Sequence, residues 1–266
     1  MKIKLDKRKI CIAITLLAII LLLVCEIVGF DGLFEADADE RLVSSVEMTV
    51  TRALGGIVFI TILIYLGYKV MNPVKRPFWR GILFSLPAFC VAINNFPIYP
   101  MASGLAQITV PPWRISLLIA ECLMVALFEE TCFRGVVFLG FLKKRKGSVK
   151  SRFLAIVFSA AVFGVVHLVN IALGASPLAV FLQVGYSFLI GAMCSVVLMK
   201  TANIWLCVLL HAVYNFGGGI IEQCGKGQRW DTFTVVITVI IAVATTAYMV
   251  IAFFRIEEQE LDRLYN

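Results

Sequence analysis

The sequence contains few charged residues and only two histidines. Charged residues make up 15% of the 266 positions, against about 25% in an ordinary soluble domain, while hydrophobic residues make up 61%. A water-soluble globule of this composition would have too little polar surface to cover itself, which excludes a separate soluble domain. The apolar runs are continuous rather than alternating, which excludes a β-barrel. The composition therefore predicts an all-α, polytopic transmembrane helical bundle.

Eight apolar stretches are long enough to cross a bilayer, which takes about 20 residues per helix. The chain, 1–266, is therefore expected to form one membrane domain of about eight spans. Loop 31–52 is the one long polar insertion, although the second span has an alternative start near Val46. Gly217 to Gly219 are expected to bend the chain or cap a helix at the end of the seventh span. The eight stretches are 10–30, 53–71, 79–97, 115–141, 153–173, 177–199, 203–221 and 232–254.

The positions of the basic residues predict the orientation. Eighteen of the 24 Lys and Arg residues lie at the termini or in alternate loops, and five lie in the other loops. Because cytoplasmic loops carry an excess of bases, both termini are predicted to be cytoplasmic. Five bases before the first span resemble a signal peptide, but its apolar run is too long for one, which favours an uncleaved anchor. Bases clustered in short loops favour contact with anionic lipid rather than nucleic acid, despite the net charge of +7.

Ionisable side chains inside apolar spans are costly, so they indicate function. Both histidines, His167 and His211, lie within predicted spans, and so does Glu129. From the helical rise, Glu129 and Asn215 lie about 18 Å from the cytoplasmic ends of their spans, His167 about 21 Å and His211 about 12 Å. A lone histidine could simply bond a neighbouring helix. These four residues on three helices are instead predicted to meet near the bilayer centre.

The spacing of these residues suggests their roles. Glu130 and Arg134 are four apart, so they can pair on one helical face and neutralise a buried arginine. Glu129, about 100° further round the helix, is left free to face the bundle interior. His211 and Asn215 are also four apart and can present two donors to one point. A carboxylate and a histidine can deprotonate a water, and two donors can stabilise an oxyanion, which together favour amide hydrolysis.

Three motifs carry these residues in order along the chain. Residues 129–134 fit EExxxR, residues 163–167 fit FxxxH, and residues 211–215 fit HxxxN, with every motif position intact. Together they resemble the CPBP intramembrane proteases, the family of CAAX prenyl endopeptidases and of bacteriocin-processing or immunity proteins, also called Abi. The resemblance covers residues 115–221, the expected catalytic core.

The resemblance implies a role for each motif residue. Glu129 would be the catalytic carboxylate, with His167 beside it on the water. His211 and Asn215 would stabilise the oxyanion, and Glu130 with Arg134 would form a supporting pair. The implied substrate is a small membrane-associated peptide or protein, such as a pheromone or bacteriocin leader, in a bacterial cell membrane.

The resemblance leaves two chemistries open, because the family is labelled metalloprotease while a metal-free glutamate mechanism has also been proposed for it. Glu129, His167 and His211 would supply three zinc ligands and leave a fourth position for water. The chain has no HExxH motif, however, and no obvious partner for the other nitrogen of His211. The metal-free reading is therefore preferred.

Two other classes of function compete with a protease. A non-enzymatic immunity or regulatory protein would keep the bundle, but would have little reason to bury the four polar residues. A proton-coupled transporter usually shows repeated halves with broken helices, and the sequence shows no internal repeat. Glu121, two turns before Glu129, either lines the same site or lies near the outer interface. The sequence does not indicate an oligomeric state.

Overall fold

A computed structural model describes residues 39–72, 78–143 and 148–265, together with Ala13, Ile14, Leu17 and Ile20. The predicted anchor at 10–30 otherwise lies outside the described residues. The described part is an all-α bundle with one short antiparallel pair of strands, β1 and β2. The helices are α1 (Glu40–Tyr65), α2 (Phe78–Asn94), α3 (Ile98–Ala102), α4 (Pro112–Glu129), a π-helix (Glu130–Phe138), α5 (Leu139–Lys143), α6 (Val149–Val166), α7 (Val169–Ala172), α8 (Pro177–Thr201), α9 (Ile204–Cys224), α10 (Thr232–Phe254) and α11 (Glu258–Asp262), with a 3₁₀ turn at Lys69–Met71; the strands are β1 (Ala106–Ile108) and β2 (Gly225–Gly227).

Five helical stretches of the described residues are long and apolar enough to cross a membrane. They are Glu40–Tyr65, Val149–Ala172, Pro177–Thr201, Ile204–Cys224 and Thr232–Phe254. Helix α2 is apolar but has only 17 residues, and the helical stretch Pro112–Lys143 carries several ionisable side chains. The chain is therefore a multi-pass membrane protein, in which five of the eight expected spans meet both criteria.

The predicted loop 31–52 is wrong in its second half, because α1 begins at Glu40. Asp39 caps this helix: its side chain accepts a hydrogen bond from the backbone N–H of Arg41. An aspartate at this position satisfies one of the free donors of the first turn. The same carboxylate pairs with Arg114 at 2.9 Å, which ties the start of α1 to the start of α4.

The glycines at 217–219 do not end their helix, since α9 continues to Cys224. They allow a close approach instead. A Cβ on Gly217 would lie 2.7 Å from the backbone nitrogen of Phe96, and one on Gly218 would lie 3.0 Å from the Asn95 side chain. Glycine is therefore needed here so that the end of α2 can touch α9.

The bundle contains two apolar clusters with a cavity between them. A large apolar core joins the end of α1, the α5 region, the second half of α8, the start of α9 and the end of α10. Helix α9 lies at the centre and contacts α2, α4, α8 and the π-helix. A smaller cluster around Leu118 and Ile221 closes the far end beside the two strands. The space between these two cores contains the candidate site.

Candidate active site

A cavity of about 1040 Å³ lies inside the bundle. Its lining includes Glu129, His167, His211 and Asn215, so the structure brings these four predicted residues to one space. Glu121, whose place the sequence left open, also lines the cavity. Exposed apolar side chains of α8 complete one wall, so the cavity reaches the lipid-facing side of the bundle there; they are Phe181, Leu182 and Leu189.

His211 lies between two carboxylates. Its Nδ1 is 2.7 Å from Oε1 of Glu130, and its Nε2 is 3.4 Å from Oε2 of Glu129. An ionised carboxylate only accepts hydrogen bonds, so Nδ1 carries a proton and donates it to Glu130. The expectation that the other nitrogen of His211 lacks a partner is therefore wrong. Glu130 orients the imidazole, a contact that spacing along a single helix could not reveal.

The predicted pair of Glu130 and Arg134 is present and fully buried. Nε of Arg134 lies 3.2 Å from Oε2 of Glu130, and both side chains are 0% exposed. The guanidinium also lies over the ring of Phe163, 4.3 Å from its centroid. Gly191 on α8 gives Arg134 its room, since a Cβ at that position would collide with Nη2. Glu130 and Arg134 thus lie behind the cavity wall rather than on it.

The first motif lies where an α-helix becomes a π-helix. The segment Glu130–Phe138 has the wider π geometry, in which the backbone N–H of Leu139 reaches the carbonyl of Arg134. Such segments occur frequently at functional sites. The hydroxyl of Ser159 donates to the Phe133 carbonyl at 3.0 Å, which satisfies part of this irregular turn. The α-helical estimate of about 100° between Glu129 and Glu130 missed this change of geometry.

His167 lies at a break in the fifth predicted span. The span expected over 153–173 is present as Val149–Ala172, but helix α6 ends at Val166 and α7 begins at Val169, so a turn at His167 and Leu168 interrupts it. Nδ1 of His167 is 2.8 Å from the carbonyl of Phe163, and it must donate because a carbonyl only accepts. In a neutral imidazole, Nε2 is then left as an acceptor. The side chain replaces a helical hydrogen bond at the cavity wall.

Phe163, the first residue of the second motif, links the two histidines. Its ring meets that of His167 edge to face at 5.1 Å and that of His211 at 5.8 Å. The same ring carries Arg134 on its face. In the sequence, Phe163 was recognised only as the first position of the FxxxH motif, and these three contacts were not predicted.

The arrangement fits a zinc ion only in part. Oε2 of Glu129 and Nε2 of His211 are 3.4 Å apart, as two ligands of one tetrahedral zinc would be. In the described ranges, however, the group whose ligand atoms all lie within 4.8 Å of one another is Glu130, Cys194 and Cys207. That group does not include His167, and its carboxylate is already bound by Arg134 and His211. Two of the three predicted zinc ligands are thus in position.

The site thus consists of carboxylates, histidines and an amide that line a cavity inside a multi-pass membrane bundle. Residues 111–217, less than half of the chain, match the family model described as type II CAAX prenyl endopeptidase Rce1-like, and this match supports an intramembrane protease. The match spans all three motifs and confirms the resemblance to the CPBP family. Comparisons with curated proteins and with solved structures yield no match.

Proposed function

We propose that the chain is an intramembrane endopeptidase that hydrolyses a small membrane-associated peptide or protein with a water activated by Glu129. The observation that carries the proposal is the approach of the Glu129 carboxylate to Nε2 of His211 on the cavity wall. The Glu129 side chain is 17% exposed, so it can reach a water and a substrate. In this proposal, residues 115–221 are the catalytic core of a single membrane domain.

In the proposed reaction, Glu129 takes a proton from the water as the water attacks the scissile carbonyl carbon. The acceptor nitrogen of His167 holds the second hydrogen of that water, which a neutral Nε2 can do. The tautomer assigned to His167 from its bond to the Phe163 carbonyl supports this role. Glu129 then gives the proton to the leaving amine, so that a carboxylic acid and an amine are formed and no proton is lost.

His211 and Asn215 stabilise the negative charge that develops on the carbonyl oxygen. They lie one helical turn apart on α9, and both line the cavity. When His211 is protonated on both nitrogens, Nε2 donates to the oxyanion while Nδ1 stays bound to Glu130. The four side chains Glu129, Glu130, Arg134 and His211 then carry no net charge, which limits the cost of burying them.

The size of the cavity and its apolar wall on α8 support a peptide taken from the membrane. Ligand sites are usually about 300–1,000 Å³, and this cavity lies at the upper limit of that range. A pheromone or a bacteriocin leader in a bacterial cell membrane is the proposed kind of substrate. Both termini of the protease are proposed to be cytoplasmic.

The proposal predicts that Glu129→Gln abolishes hydrolysis, because an amide keeps the shape of the carboxyl but cannot take the proton. His211→Gln should lower the rate about 10²–10³-fold, the usual cost of losing one oxyanion donor. Glu40→Gln is the matched control, since Glu40 is an exposed carboxylate that does not line the cavity. The assay measures, by mass spectrometry, the products formed from short apolar peptides in proteoliposomes.

A wild-type rate for Glu129→Gln would contradict the glutamate mechanism and favour the regulatory or immunity function. Elemental analysis of the active purified protein separates the two chemistries. Less than about 0.1 equivalent of zinc per active site would exclude the metalloprotease, whereas stoichiometric zinc that is lost in His167→Ala would exclude the metal-free mechanism.

A further inference from the structure

A carboxylate from outside the three motifs also lines the cavity. Glu121 lies on α4, eight residues before Glu129, or about 12 Å along the helix axis. Its Oε1 accepts a hydrogen bond from Nε2 of Gln223 at 3.2 Å, while its Oε2 is buried without a hydrogen-bond partner. Folded proteins leave few buried polar atoms unpaired, so this oxygen is available to a donor from a bound molecule.

No basic side chain in the described part of the chain neutralises Glu121. None of the described Lys, Arg or His side chains lies within 4.0 Å of its carboxylate. Arg114, the base of the same helix, pairs instead with Asp39 at 2.9 Å. Glu129, the other carboxylate of this helix, has Nε2 of His211 beside it at 3.4 Å. These side chains therefore give Glu129 a basic neighbour and give Glu121 none.

The Glu121 carboxylate is held by contacts from three helices. The hydroxyl of Ser45 on α1 donates to the amide oxygen of Gln223 on α9 at 3.1 Å, which leaves the amide nitrogen to donate to Glu121. On α4 itself, Leu118 and Cys122 pack in the apolar cluster beside the two strands. The carboxylate is therefore oriented by a chain of hydrogen bonds at the edge of an apolar cluster, where a charged contact is stronger than in water.

Gly219 on α9 leaves space beside this chain of hydrogen bonds. It lines the cavity, and a Cβ at its position would lie 3.9 Å from Nε2 of Gln223 and 3.8 Å from Cδ1 of Leu118. Any larger residue would place its side chain against the amide that binds Glu121. Because glycine has no side chain, the cavity extends to this amide.

We propose that Glu121 binds a cationic group of the substrate, an ammonium or a guanidinium, three or four residues from the bond that is cut. This inference rests on the proposed peptidase function. An extended peptide rises about 3.3 Å per residue, so three or four residues span the distance of about 12 Å between Glu129 and Glu121. The cation supplies the donor that Oε2 lacks, and such charge-assisted hydrogen bonds are about twice as strong as neutral ones. Glu121 is a specificity-determining residue in this account, not a catalytic one.

A binding experiment on the inactive Glu129→Gln protein in phosphatidylcholine nanodiscs tests the inference without requiring cleavage. The probes are N-acetylated apolar peptides that differ at one internal position, which is arginine in one form and its neutral analogue citrulline in the other. We expect the arginine peptides to bind about ten- to a hundredfold more tightly, as is usual for a hydrogen bond to a charged group. Adding Glu121→Gln should remove this preference by weakening only the arginine peptides, and Glu121→Asp should keep part of it.

The same protein distinguishes two sources of the cation. The citrulline peptide is also made with a free N-terminus, which carries an ammonium group. Tighter binding of the arginine form identifies a side chain as the ligand of Glu121, whereas tighter binding of the free N-terminus over the acetylated one identifies the chain end. Glu121→Gln should remove whichever preference is present.

Glu40→Gln is the matched control, because it removes the same charge from an exposed position outside the cavity. It should leave the preference unchanged. Equal binding of cationic and neutral peptides by the parent protein, or a preference that survives Glu121→Gln, would overturn the inference. A preference lost only in Glu222→Gln would assign the cation to that exposed carboxylate of the cavity and also overturn it.

A purely structural role for Glu121 predicts a different result. The glutamine of Glu121→Gln can still accept the hydrogen bond from Gln223, so the fold should be retained, which the unfolding temperature checks. Equal weakening of cationic and neutral peptides by this variant would assign Glu121 a structural role and reject the binding of a cation.

Cleavage by the active chain tests the proposed function separately. The probes are apolar peptides in which the single arginine is moved along the sequence. A cut that moves with the arginine, at a constant spacing of three or four residues, supports both proposals. Cleavage at a bond that does not depend on the arginine keeps the peptidase and rejects the role of Glu121. Peptides that are bound with the cation preference but never cut retain Glu121 as a cation-binding residue and reject the peptidase.

Discussion

Glu130 contacts two side chains, the imidazole of His211 and the guanidinium of Arg134. One of its oxygens accepts the proton of His211, and the other pairs with Arg134. The first contact orients a side chain of the cavity, and the second compensates a buried cation. Oε1 of Glu130 is therefore expected to affect activity, and Oε2 is expected to affect stability. A pair of variants can distinguish the two effects.

We predict that Glu130→Gln lowers the free energy of unfolding by about 3–5 kcal/mol, because Arg134 loses its only paired carboxylate in the described residues. The double variant Glu130→Gln/Arg134→Met should recover much of this stability, since it leaves no unpaired arginine behind the cavity wall. It should not recover hydrolysis, because His211 still lacks its anionic acceptor. Thermal unfolding in detergent and peptide cleavage are measured on the same preparations.

Recovery of activity in the double variant would show that Glu130 acts only through Arg134. Glu40→Gln serves again as the control for the loss of a carboxylate, at an exposed position outside the cavity. It should alter neither the unfolding temperature nor the cleavage rate.

At the scale of helices, the site depends on how α8 meets the π-helix. Gly191 gives the space that the Arg134 guanidinium occupies, and Phe163 of α6 lies on its other side. A single methyl group on α8 would therefore displace Arg134 and, through it, the Glu130 carboxylate. The geometry of the candidate site therefore depends on a helix that carries none of the three motifs.

We predict that Gly191→Ala lowers stability by about 1–3 kcal/mol, the usual cost of overpacking, and also lowers hydrolysis. The matched control is Gly140→Ala, where a Cβ meets no atom within 4 Å. Because alanine favours a helix over glycine by about 1 kcal/mol, that control should be neutral or stabilising. Unfolding temperature and cleavage rate are compared for the two variants, and similar behaviour of both would exclude the steric account.

The sequence predicts the parts of the site that depend on local spacing. Glu130 and Arg134 pair, and His211 and Asn215 share a face, because both relations arise within one helix. The contact of Glu130 with His211 joins the π-helix to α9 and depends on how these helices pack, which no spacing contains. The π-helix itself leaves no trace in a hydrophobic pattern read with a period of 3.6.

Arg229 is the clearest case of a residue that sequence reasoning could not place. Its charge counted only as one of the five bases in loops predicted to lie outside the cell. Its position in the cavity follows from the pairing of β1 with β2, two three-residue strands that are too short to be recognised. The turn at His167 could not be predicted from hydropathy either, because the residues before and after it in 153–173 are equally apolar.

For the whole molecule, the distribution of basic residues predicts an orientation that labelling can check. Cysteine introduced at Lys150 should be protected from a membrane-impermeant maleimide in intact cells, while cysteine at Lys226 should react. Both positions are exposed and described, and they lie at opposite ends of the bundle. The parent chain gives the background from native cysteines, and the reverse pattern would mean that the molecule is inverted.

The lipid-facing wall of the cavity has a consequence for how the enzyme would respond to concentration. Apolar side chains of α8 lie both on the cavity and on the outer surface of the bundle. A substrate that enters there comes from the two-dimensional solution of the bilayer, so its mole fraction among the lipids sets the rate. Adding lipid at constant protein and substrate should then slow hydrolysis by dilution, whereas adding buffer should leave the rate per enzyme unchanged.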